Sequence, residues 1–206
     1  MNKETRAYDF EVRAEQNEEH GTFISGVPIV FNADTDLGYY TERIAQNALD
    51  NTDLRDVRFL VNHNTDMIPL ARSRNNNANS TMQMTVEEDG MHIRVNLDTE
   101  GNPEAKSLYS AVKRGDVSGM SFMFTVDSDT WEGVDTEHPV RTITAINKLF
   151  EVSAVTFPAY EQTSIEAASA SAALDRAKET LESVKAEARR AELIEAIKKN
   201  LGGAQA

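Results

Sequence analysis

The stretch "RGDVSGMSFMFTVD", residues 114–127, decides the reading of the chain. Arg114 and Gly115 close a helix, and the residues after them alternate. In a strand from Met120 to Val126, Met120, Phe122, Phe124 and Val126 share one face, while Ser121, Met123 and Thr125 share the other. Ser121 therefore lies on the less apolar face, and Ser118, beside Gly119 just past the helix stop, reads as a turn serine. The pattern alone is compatible with packing or local backbone hydrogen bonding for either hydroxyl.

Upstream, "TEGNPEAKSLYSAVKRGD" (99–116) predicts a helix, with Asn102 as its cap, Pro103 in its first position and Gly115 ending it. Ala105, Leu108, Tyr109 and Val112 make its apolar face. Downstream, a polar connection from 127 to 138 containing Trp131 leads to a second long strand, "VRTITAINKLFEVSAVTFP" (140–158), ended by Pro158. Residues 8–31 read as strands, and "YYTERIAQNALDN" (39–51) predicts a helix with Thr41 as N-cap and Ile44, Ala48 and Leu49 at helical spacing. "VRFLVNHN" (57–64) is a nearly continuous apolar strand, as expected for burial on both faces. Three asparagines at 75–77 mark a loop before a hairpin over 71–100, in which Asp89 and Gly90 supply a turn tolerant of positive φ. The order of elements predicts an α+β fold with a mainly antiparallel, barrel-like sheet and flanking helices.

With 206 residues and 40% hydrophobic content, the chain suffices for one cored domain and an appendage. The absence of cysteine excludes disulfides, thiolate metal ligands and cysteine catalysis, and permits a reducing compartment. The polar N-terminus has no signal-peptide core, and no run of about 18 apolar residues occurs, so no membrane association is expected. The intact Met1 favours an unprocessed N-terminus. A net charge of −13 argues against nucleic acid as a partner, because backbone-phosphate binding is driven by lysine and arginine.

From Glu166 onward seven acidic residues face seven basic ones, so the whole negative excess lies in residues 1–165. Two units follow: a domain over 1–165 and an Ala/Glu/Lys-rich helical tail over 166–206. In the tail, Leu174, Ala177, Leu181, Val184, Ala188, Ala191, Ile194, Ile197 and Leu201 form a narrow stripe suited to a weak coiled-coil or bundle contact.

Candidates for chemistry are few. His20 and His138 fall in polar loops and His92 inside a strand, whereas His63 ends a buried strand between Asn62 and Asn64, at a sheet rim where loops gather. Glu151 is embedded in "NKLFEVSAVTFP", where an ionised carboxylate needs a partner, and a buried imidazole would serve. A serine needs a base, and the base needs a group that orients it, so a Ser-His-Glu set is chemically sensible. No HExxH, EF-hand, GxGxxG or P-loop spacing is present, and neither metal nor cofactor is expected.

Taken in order, "VRFLVNHNTDMIPLAR", "VKRGDVSGMSFMFTV" and "LFEVSAVTFPAYEQTS" resemble the three signature blocks of the prohead (capsid maturation) proteases of tailed bacteriophages, the HK97-type serine peptidase family, over roughly residues 8–165. That family is similar in fold to the herpesvirus assembly proteases. The resemblance implies that Ser121 is the nucleophile, His63 the catalytic histidine and Glu151 the third member. It further implies a serine endopeptidase acting in the host cytoplasm inside the procapsid. Its substrates would be the scaffolding segment of the major capsid protein and the enzyme itself, and the herpesvirus enzymes suggest a dimer. The tail then reads as a scaffold or tethering helix. Two positions depart from the pattern: Met123 stands where the family has glycine, and "IAQNAL" replaces the early "PGAF"-like block. The alternative reading is an inactive capsid assembly or scaffolding protein on the same fold.

Overall fold

The computed structural model describes residues 3–8, 12–157 and 164–202. In chain order the elements are β1 (Lys3–Tyr8), β2 (Arg13–Asn17), β3 (Gly21–Val30), β4 (Thr35–Asp36), β5 (Thr41–Ile44), β6 (Asp56–Val61), β7 (Ala71–Arg74), β8 (Met82–Val86), β9 (Gly90–Asn96), α1 (Pro103–Arg114), β10 (Gly119–Glu132), β11 (Val140–Val155) and α2 (Ser164–Gly202). The α+β class holds, and most strand pairs are antiparallel.

The sheet is not a closed barrel, which corrects the sequence expectation. Among the described residues there are two open sheets, a seven-stranded one and a four-stranded one ordered β2-β3-β9-β8. The end strands of the seven-stranded sheet, β1, β4 and β7, do not pair with one another among the described residues, and β11 divides one edge between two short parallel partners. Its first residues, 140–143, pair with β5, and residues 151–154 pair with β6. Between these segments the β10–β11 ladder slips register repeatedly, from Met123/Phe124 to Ser128/Asp129. Such bulges bend and twist a strand locally.

The core fills the space between the sheets. Met120, Phe122 and Phe124 of β10, with Val152 and Ala154 of β11 and Phe59 of β6, belong to the same buried cluster as Ile24, Met82, Met91, Ile93 and Val95 of the smaller sheet. Helix α1 adds Ala105, Leu108 and Val112. Its ends are as expected: Asn102 Oδ1 accepts the amides of Glu104 and Ala105 at 2.9 and 3.3 Å, and Gly115 stops the helix at φ 79°.

Three further expectations are corrected. Residues 41–44 form strand β5 rather than the start of a helix, and turns follow over 46–51. The extended conformation places Glu42 between two buried arginines, Arg6 and Arg141, a tertiary demand that overrides the local apolar spacing. The Trp131 segment is not a connection, because the β10–β11 ladder continues to Glu132↔Val140. Trp131 packs there edge-on against Tyr40, with ring centroids 4.8 Å apart. At the β8–β9 hairpin neither Asp89 nor Gly90 has positive φ. Gly90 is required for a different reason: a Cβ at this position would lie 2.1 Å from the Ile29 carbonyl oxygen of β3.

The tail is helical as expected over α2 (Ser164–Gly202), and its last residues, 203–206, lie outside the described ones. Leu174 and Ala173 are buried at its head, Leu174 packing with Leu37, Tyr40 and Trp131, whereas Val184 and Ile194 of the predicted stripe are 56% and 43% exposed. No described helix is long and apolar enough to cross a membrane.

Candidate active site

Strand parity puts the site on the face of the large sheet opposite the core. Ser121 pairs with Ser153, and Met123 with Glu151, across the antiparallel β10–β11 ladder. Residues directly opposite each other point to the same side, with Cβ atoms about 5 Å apart. Phe122 and Val152, the intervening pair, go into the core.

His63 reaches this face by a turn. β6 runs parallel to β11 with Leu60↔Ser153 and Val61↔Ala154, and the Asn62 amide still donates to the Ala154 carbonyl at 2.9 Å. Asn62 and His63 then both adopt the left-handed region, at φ 51° and 56°. Asparagine tolerates that region and histidine is enriched there, but each non-glycine residue held so costs roughly 1–3 kcal/mol. The Asn62 side chain secures the turn by accepting the Thr156 amide at 2.9 Å. The chain thereby folds back over β11 instead of continuing along it.

The result is a three-residue cluster. His63 Nδ1 lies 2.5 Å from Glu151 Oε1, and the Ser153 hydroxyl donates to Glu151 Oε2 at 2.6 Å while its oxygen accepts the His63 amide at 3.1 Å. Glu151 is only 3% exposed, and these two partners occupy one carboxylate oxygen each. With Nδ1 turned to the carboxylate, the tautomer that carries its proton on Nδ1 leaves Nε2 as the acceptor. That nitrogen is buried and has no hydrogen-bond partner among the described residues. A buried polar atom without a partner is uncommon and calls for an explanation, and a catalytic role is one.

Ser121 is fully buried on the same face, and its hydroxyl donates to the Arg6 carbonyl of β1 at 2.8 Å. The structure thus joins His63 to Glu151 and sets Ser121 one strand away, with its proton on β1 instead of the ring. β1 is itself fixed from the core side. The Arg6 guanidinium bonds Glu42 at 2.5 and 2.8 Å and Glu4 at 2.7 Å, and Arg141 bonds the same two carboxylates at 2.7 and 2.9 Å. Burial alone would raise the Glu4 carboxyl, but the hydrogen bond from Arg141 and the two guanidinium charges outweigh it and hold it below the ordinary carboxylate value. The same surroundings push the buried Tyr40 hydroxyl up to about 12, chiefly through desolvation.

The other candidates lie elsewhere. Ser118 is exposed between α1 and β10. His20 contacts Arg94 at 2.9 Å, His92 contacts Asp89 at 2.8 Å and His138 contacts Thr41 at 3.1 Å. Glu87, Asp89 and His92 bring potential ligand atoms within 4.8 Å of one another on the exposed β8–β9 turn.

Sequence reasoning missed Ser153 and the buried Glu4–Arg6–Glu42–Arg141 network. The period-2 rule applied to "FEVSAV" would have set Ser153 beside Glu151. Nothing local marks the network, whose members come from three strands, β1, β5 and β11.

Residues 8–179 match the profile of the caudovirus prohead serine proteases. The chain belongs to that family. Among characterised proteins it is similar to the prohead protease of Enterobacteria phage HK97, with 29% identity over 157 residues, which cover 76% of this chain and 64% of the relative. The chain therefore matches less than two thirds of that prohead protease's length. Among solved structures it is matched to the bacteriophage T4 capsid assembly protease over 74% of this chain and 98% of that one, at 12% identity and a TM-score of 0.36, a level that transfers no residue positions. The prohead protease match extends past the 165/166 composition boundary into the first part of α2.

Proposed function

We propose that the chain is a serine endopeptidase of capsid maturation, with Ser121 as nucleophile, His63 as general base and Glu151 as the orienting carboxylate. The observation that carries this reading is the His63–Glu151 pair at 2.5 Å, with Nε2 buried and without a partner among the described residues, on the sheet face that also bears Ser121. On substrate binding the Ser121 hydroxyl leaves the Arg6 carbonyl and gives its proton to Nε2 as Oγ attacks the scissile carbonyl. His63 then returns that proton to the leaving amine, and Glu151 stabilises the imidazolium between the two steps. Catalytic hydrogen bonds are often unmade in a substrate-free site, so the resting position of Ser121 is compatible with this role.

The substrates we propose are the scaffolding segment of the major capsid protein and the chain itself, met inside the procapsid, with a dimer as the working form. We read residues 1–165 as the protease domain and 166–206 as a tether, docked through Leu174 and engaging capsid components through its more distal part. One observation favours the second reading, a non-catalytic assembly protein: the Ser121 hydroxyl is bound to main chain rather than to His63. Labelling with a fluorophosphonate separates the two. The protease reading expects the label on the peptide carrying Ser121 and its loss in Ser121→Ala; an unlabelled wild-type chain favours the assembly protein.

A further inference from the structure

We propose that Ser153 is a positioning residue that clamps His63 at two points and so sets the base relative to the nucleophile. The inference rests on the reading of His63 and Glu151 given above. Ser153 is fully buried, and its single hydroxyl is used in both directions: the proton goes to Glu151 Oε2 at 2.6 Å, and the oxygen receives the His63 amide at 3.1 Å. His63 is therefore referenced to β11 twice, by its backbone through Ser153 and by its ring through Glu151, two residues apart on one strand face. One attachment would leave the imidazole free to swing; two fix both its place and its plane.

The clamp stands directly across the ladder from Ser121. Any shift of the turn at 62–64 changes the gap between Nε2 and Ser121, and an error near 1 Å in such a gap can cost about a hundredfold in rate. A left-handed histidine with no such tether would relax towards an ordinary conformation. Ser153 is not a rival nucleophile, because its proton is committed to the carboxylate and its oxygen to an amide, away from Nε2.

The test compares wild type, Ser121→Ala, Ser153→Ala and Ser153→Thr on the full chain, with two readouts. The first is the rate of fluorophosphonate labelling against probe concentration. The second is the low-field proton signal of the His63 Nδ1–H···Glu151 bond in the NMR spectrum, which needs no activity. Ser153→Ala is expected to lower the limiting labelling rate on the order of 10–100-fold at unchanged half-saturation, and to abolish the low-field signal. Ser153→Thr, which keeps the hydroxyl, is expected to restore both. The inference is overturned if Ser153→Ala keeps the signal and the wild-type rate, or if the label is found on Ser153. Should only Ser121→Ala and wild type behave alike, the protease reading fails while the NMR readout still decides the clamp. If Ser153→Ala does not fold, amide exchange in the wild type decides: a His63 amide as slow as those of β11 supports the clamp, and one as fast as the exposed turns overturns it.

Discussion

The Ser121 hydroxyl donates to the Arg6 carbonyl at 2.8 Å, so the reactive hydroxyl of the proposed triad rests on the neighbouring strand while His63 Nε2 has no partner among the described residues. Arg6 is held from the other side of the sheet by Glu42 and Glu4, which makes its carbonyl a fixed acceptor. On the proposed mechanism, activation would be a rotation of the Ser121 side chain about its Cα–Cβ bond, away from that carbonyl and with no strand displaced. A crystal structure of the chain carrying a phosphonate on Ser121 should show β1 still paired to β10 and the Arg6 carbonyl without its serine donor. Loss of β1 from the sheet would show that the strand itself must move.

Replacing Glu151 by Gln keeps the shape of the side chain and removes the charge that stabilises protonated His63. Turnover is expected to fall about 10³–10⁴-fold, the scale seen when such an orienting carboxylate is neutralised. Circular dichroism should be unchanged, because Ser153 retains an amide oxygen as acceptor. A variant within a few-fold of wild type would remove Glu151 from the mechanism.

Met123 is half-buried directly opposite Glu151, on the face that carries Ser121. Met123→Gly removes this side chain and introduces the glycine that the family resemblance implies here. The expected result is a several-fold gain in fluorophosphonate labelling together with a stability loss of roughly 1 kcal/mol or more, from strand glycine entropy and lost packing. A labelling rate that does not change would mean that Met123 leaves the approach to Ser121 open.

Arg141 is 1% exposed and bonds Glu4, Glu42 and Asp129. Arg141→Met leaves two buried carboxylates to share Arg6, and breaking a buried pair in this way costs about 3–5 kcal/mol. Urea unfolding should show a loss of that order.

The Glu4 carboxyl, held below its ordinary value of 4.5, gives a pH test with a definite sign. A carboxyl lowered in the folded state contributes its full stabilisation above the unfolded value and loses it as pH falls through the folded one. Stability should therefore decline below pH of about 4.5. Glu4→Gln should be less stable at neutral pH and show a flatter acid decline. An equal slope in both proteins would mean that the acid sensitivity arises elsewhere.

The parts of the molecule governed by short-range rules were legible in the sequence. Asn102, Pro103 and Gly115 delimit α1 as their chemistry dictates, and alternation along residues 120–126 assigns Ser121 to the face away from the core. His63 and Glu151 were singled out by a histidine at a strand end and an acid in an apolar run, and they meet in space. What failed depended on distant partners. Residues 41–44 became a strand because Glu42 is required by Arg6 and Arg141, about 36 and 99 positions away in the chain. The open sheet, whose end strands do not pair, and the change of parallel partner along β11 are long-range arrangements that no local pattern encodes. Ser153 escaped notice because a serine in an apolar strand is usually only a small residue, and its role exists only once the turn at Asn62 and His63 brings an amide to it.

The central claim is that this chain cuts capsid proteins through Ser121. It is tested most directly by co-expressing the chain with its major capsid protein, as wild type and as Ser121→Ala, and measuring the masses of both proteins. The account predicts shortened capsid protein with the wild type and full-length capsid protein with Ser121→Ala. Uncut capsid protein in both cultures, or equal cutting in both, would contradict it.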